Sequence, residues 1–219
     1  MTRKQMSDQV KFWLGLQDIS GFDESGFVYD QLYQGTLDLL ARSKCVARCV
    51  NLHVTAGTDT YKLDHSLLAL VDVEDGARRR ARRDEASSTA FDPTFTLVRA
   101  DILRVQPTPD ADADLQTWAV IRPNKMVADT DSPGDDAYGG IPDEYQDAIV
   151  TYALWKCADY ADDASAQQGE RYRVLYEGQD GRGGRLAQIR VSVNKRGTAR
   201  AARRKVRAPA VAARGGWVG

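Results

Sequence analysis

Residues 141–160, Ile-Pro-Asp-Glu-Tyr-Gln-Asp-Ala-Ile-Val-Thr-Tyr-Ala-Leu-Trp-Lys-Cys-Ala-Asp-Tyr, constrain the fold more than any other stretch. At 3.6 residues per turn they make about five helical turns. Ala148, Ile149, Val150, Tyr152, Ala153, Leu154, Trp155, Cys157 and Ala158 leave that helix little polar surface. A helix apolar on nearly all sides is buried centrally or packs against other subunits. Tyr145, Ile149, Tyr152, Leu154 and Trp155 are the candidate core and interface residues. Asp143 suits the N-cap, and Gln146, three residues on, would complete a capping box. An acidic first turn also complements the helix dipole.

The pattern around this helix predicts an α+β fold. Its core is a helical bundle with inserted antiparallel β-hairpins, followed by an extended basic C-terminal arm. Helices are expected at 7–16 (capped by Ser7 or Asp8, with Phe12 and Trp13 in the apolar content), 23–43, 143–160 and 164–176. Between them lies a β-rich insertion at 46–122. Val46, Val50, Leu52 and Val54 alternate at period two, Thr60–Leu63 follows a turn at Ala56–Asp59, and 66–74 reads as a further strand. Asp75-Gly76 is a two-residue hairpin signal whose return strand is the arginine-rich 78–83. Ile102–Val105 and Leu115–Ile121 are expected to form a second hairpin across Pro107-Thr-Pro-Asp110. Ile189, Val191 and Val193 hint at a short strand.

Charge divides the chain. All 31 acidic residues lie at or before Asp180, whereas residues 182–219 hold eleven Lys or Arg and no acid. The body, 1–181, therefore carries 19 basic and 31 acidic residues, a formal charge of −12, and the arm, 182–219, carries +11. Such an arm binds acidic protein surfaces or nucleic acid. Residues 195–219 are too poor in apolar side chains to fold alone. Arg200, Arg203, Arg204, Lys205 and Arg207 supply its charge, and the isolated Trp217 is an interface anchor. Arg78, Arg79, Arg80, Arg82 and Arg83 form a second basic run, which either protects an edge strand or faces DNA phosphates.

Catalytic chemistry leaves no trace. Only His53 and His65 are available as histidines, and no Gly-x-Ser-x-Gly, phosphate loop or His-Glu-x-x-His occurs. The expectation is a protein that is not an enzyme and takes no cofactor. Cys45, Cys49 and His53 are spaced for one strand face, but a closed zinc site wants a fourth ligand, and none is evident. Two buried cysteines and a polar histidine are the expectation there. The acidic residues of 129–136 lack the spacing of a calcium loop, and Asp110, Asp112 and Asp114 read as a solvated tip. Three cysteines cannot all pair within one chain, which suits synthesis in a reducing cytoplasm. No apolar run is long enough for a membrane span, and the N-terminus lacks a signal-like stretch.

The order of elements, with Pro142-Asp-Glu-Tyr145 introducing a helix that carries Tyr152-Ala-Leu154, resembles the head-to-tail adaptor (connector) proteins of tailed bacteriophages. Tyr61-Lys-Leu63 and the Leu103–Pro107 strand ending in Pro-x-Pro-Asp are similar too, so the likeness runs over about 23–176. The arginine-rich stretch 75–92 departs from it. The resemblance implies a virion protein of the portal vertex, assembled in the host cytoplasm as a ring, commonly of twelve copies. That ring would sit beneath the portal protein, extend the channel for genomic DNA and carry a tail or nozzle protein, with the arm docked on the portal. Two other readings stay open: a nucleic-acid-binding protein that does not read sequence, and a neck or tail-completion protein one layer lower.

Overall fold

The computed structural model describes residues 1–15, 26–63, 66–75, 78–82, 94–158, 163–179 and 182–195. Helix α1 (Arg3–Leu14) starts four residues earlier than the predicted 7–16. Its N-cap is Thr2 rather than Ser7 or Asp8. The Thr2 hydroxyl accepts from the Gln5 amide, and the Gln5 side chain accepts from the Thr2 amide at 2.8 Å. A capping box thus forms here, where the sequence reading had not placed one. Gly15, at φ 67°, closes the helix in the left-handed region. Helix α2 (Phe27–Ser43) begins at Phe27 behind Gly26 rather than at Asp23.

Seven strands follow: β1 (Arg48–Val54), β2 (Thr60–Lys62), β3 (Leu67–Asp75), β4 (Arg78–Arg82), β5 (Thr94–Arg99), β6 (Ile102–Gln106) and β7 (Ala113–Ile121). They form one sheet in the order β1-β7-β3-β4-β5-β6-β2, antiparallel throughout except for the parallel β4–β5 pair. The hairpin signalled by Asp75-Gly76 is present, with Asp75 paired to Arg78. The expected hairpin between 102–105 and 115–121 is not. β6 instead pairs with β5 and β2, while β7 pairs with β1 and β3. The chain leaves the sheet at Pro107 and Pro109, which have no amide to donate to a ladder. There the Pro109 carbonyl accepts from Gly57 in the β1–β2 turn.

Helix α3 (Asp143–Ala158) agrees with the predicted 143–160 as far as the described residues reach, 159 and 160 lying outside them, and α4 (Asp163–Glu177) follows. A two-stranded ribbon, β8 (Gly178–Gln179) with β9 (Arg182–Gly183), turns the chain into helix α5 (185–195). The strand suggested by Ile189, Val191 and Val193 is therefore helix. Leu186 and Ile189, three apart, are buried on its inner face, and Val191 is half exposed.

Two apolar cores result. The helical one centres on α3 and gathers Met6 and Val10 of α1, Leu32 and Leu39 of α2, Tyr176 of α4, and Leu186 and Ile189 of α5. The other lies inside the sheet, where Leu52, Val54, Tyr61, Leu70, Val73, Phe95, Leu103 and Leu115 come from six strands. Strand β3 is covered on both faces. Leu67, Leu70 and Val73 enter the sheet core, while Leu68, Ala69 and Val71 pack on the helices. Double coverage explains why it reads as a nearly unbroken apolar run.

Candidate assembly surfaces

Helix α3 is enclosed by α1, α2, α4 and α5 of its own chain. Tyr145, Ile149 and Leu154 are buried, and Tyr152 and Trp155 are half-buried. Of the two explanations for its all-round apolarity, central burial within one chain accounts for most of the surface. Gly35 lets α2 approach closely, since a Cβ there would meet the Tyr152 ring at 3.0 Å and the Ile149 carbonyl at 3.2 Å. Gln146 does not complete a capping box. It is fully buried, and its amide donates to the Asp143 carboxylate at 2.8 Å and the Ile141 carbonyl at 3.1 Å. The side chain thereby pins the incoming loop to the helix.

Tyr152 and Trp155 open onto an aromatic cluster with Tyr176, in which Tyr152 meets both neighbours edge-on. Lys156 lies 3.6 Å above the Trp155 ring. The Tyr176 hydroxyl donates to Asp38 at 2.7 Å, and Arg42 bridges Asp38 and Glu177. Burial, reinforced by the Asp38 carboxylate, pushes the Tyr176 hydroxyl far above its ordinary pKa. This polar lock between α2 and α4 was missed in the sequence. Its partners are 138 residues apart, and no local pattern couples them.

The acidic loop 128–140 works as a clasp. Asp131 accepts from the amides of Val127 and Ala128. Desolvation opposes its charge, but those amides prevail and hold its carboxyl below the usual range. The carbonyls of Asp129 and Asp131 accept from the first amides of α1. Arg48 of β1 reaches Asp136, and Lys125 pairs with Asp30. Among the described residues, no three His, Cys, Asp or Glu side chains gather as a metal site. Cys49 is exposed and Cys45 half-buried, so neither is the buried cysteine expected. His53 lies on the outer face of β1 with its Nδ1 2.8 Å from Asp114, and that hydrogen bond raises its pKa.

The basic residues fall mostly elsewhere. Arg78, Arg79, Arg80 and Arg82 belong to β4, which stands between β3 and β5, while the sheet's edges are β1 and β2. Edge protection therefore does not explain this run. Arg83, Arg200, Arg203, Arg204, Lys205, Arg207 and Trp217 lie outside the described residues, as does His65. Two surfaces that the sequence reading did not single out are open. Phe12 and Trp13 pack edge to face at the end of α1, each 61% exposed. A groove runs between α3, α4 and α5, past the half-exposed Leu175.

The family model described as SU10 adaptor protein matches residues 1–207. The chain belongs to this family of phage head-to-tail adaptors. No curated protein matches it. The match is wider than the 23–176 likeness read from motifs, since it takes in α1, α5 and the basic residues through Arg207. Trp217 lies beyond it. Membership makes the adaptor a structural virion protein and implies a role without catalysis. No helix among its described residues is long and apolar enough to cross a membrane.

Proposed function

We propose that this adaptor assembles as a ring beneath the portal at the virion neck, extends the DNA channel and carries the next tail component. The segment after α5 docks on the portal. The observation that carries the reading is the family match, which runs past the last packed helix into the basic segment. Residues 196–219 hold seven Lys or Arg and no acid, a composition suited to carboxylate-rich grooves on a partner. Repeated around a ring, even weak arms gain avidity. Ordering each arm costs entropy, which docking must offset. Trp217 is the anchor proposed at its tip, with Arg200, Arg203, Arg204, Lys205 and Arg207 pairing along it. The Arg78–Arg83 run is the candidate DNA-facing stretch.

The test is a variant ending at Lys195. It keeps Leu186 and Ile189 in the core, which a cut at Gly184 would remove. The variant should stay folded and bind portal at least tenfold more weakly than the full chain. Full affinity without the arm would assign portal docking to the body. Retention on DNA with a steep salt dependence, and none on portal, would favour the nucleic-acid reading instead.

A further inference from the structure

The apolar stripe of α1 outruns the body. Met6 and Val10 are buried in the helical core, and Trp13 continues the same i, i+4, i+7 face into solvent beside Phe12. On the other side of α3 lies the groove floored by Ala148, Val174, Leu175, Gln188 and Ile189. The start of α1 and the groove meet different sides of α3. Gln146 holds Met1, just ahead of α1, whereas Glu144 and Ala148 of the groove lie about 160° around α3 from Gln146 at about 100° per residue. Gly184 lines the groove where the backbone packs closely, and any Cβ there would come within 2.5 Å of the Tyr176 carbonyl oxygen.

We infer that Phe12 and Trp13 of one copy seat in the α3–α4–α5 groove of the next. A projection and a recess formed by different surfaces of one chain give a head-to-tail contact, which closes into a ring when the rotation permits. This rests on the ring reading above. Charge agrees with it. Exposed Lys4 and half-buried Lys11 of α1 stand against Asp8 alone, Arg3 being engaged by Val127, Tyr29 and Asp129 of its own chain, while the start of α3 at the groove presents exposed Asp143, Glu144 and Asp147, with Arg185 paired to Asp147. Area makes the rings a part of the contact and not the whole. The open parts of the two rings offer about 200–300 Å², about a third of the roughly 800 Å² per partner in a standard interface. The flanking charges and the groove walls would supply the remainder. Such a contact resembles a hot spot, with aromatic anchors surrounded by weaker contacts.

The experiment uses the full chain with a benzophenone-bearing phenylalanine at position 13, mixed as light and heavy isotopic forms. It is irradiated both concentrated alone and assembled on portal. Cross-links joining light to heavy chains at residues 174–189 are expected, and Leu175→Glu should cut their yield about tenfold or more with helicity unchanged. Rings on portal whose cross-links fall elsewhere between chains, or only within one chain at residues 16–25, would overturn this contact and leave the ring standing. A chain that forms no oligomer, alone or with portal, would overturn both.

Discussion

Tyr176 shows how one side chain can hold two distant elements together. Its ring fills the helical core, and its hydroxyl reaches a carboxylate on α2. A hydrogen bond to a charged group contributes about 1.5–3 kcal/mol. Tyr176→Phe should lower stability by about that much in denaturant unfolding, with the fold retained. The cysteines separate by environment. Burial pushes the Cys157 thiol up to about 12 and raises Cys45 as well, while Cys49 is exposed. The thiolate is the reactive form. Iodoacetamide at pH 8 should therefore label Cys49 first, Cys45 slowly and Cys157 only after unfolding, as peptide mapping would show. His53 is held above its ordinary pKa by Asp114. Its pairing helps the folded state fully below the unfolded-state pKa and is lost as pH rises through the folded value. Both groups are exposed, so the stability effect is small. The shift itself should appear in an NMR titration and vanish in Asp114→Asn.

Among the elements, α5 joins the body to the basic segment. Truncation after Lys195 should leave thermal unfolding nearly unchanged. Truncation after Gly184 removes buried Leu186 and Ile189 and should cost about 3–6 kcal/mol. The sequence pointed the other way here, because Ile189, Val191 and Val193 alternate at period two. Leu186, Ile189 and Val193 also fit a helical face, and packing against α3 chose that one. Helix α3 was legible because its apolar residues exceed what any strand or surface helix can use. The β3–β4 hairpin was legible because its turn is local. The β5–β6 hairpin was not, since its connection at Ala100-Asp101 carries no glycine, proline or asparagine. The pairing of β7 with β1 was equally hidden, because register between strands over 60 residues apart is set by the shared core.

At the scale of the whole molecule, charge divides the chain into an acidic body and a basic tail. Among the described residues, one chain builds both a helical core and a sheet core. Among the described residues, its surface offers an aromatic pair, a groove and the sheet edges β1 and β2. In the proposed ring, small contacts of this kind would act together, because each alone is weak and many together are not. The exposure of the aromatic pair was not legible, because helix periodicity does not reveal where a body ends. The most direct test is cryo electron microscopy of the full chain mixed with portal from the same virus. A ring stacked under the portal, with density leading from α5 onto portal subunits, is the predicted result. A chain that remains monomeric and leaves the portal bare would contradict it.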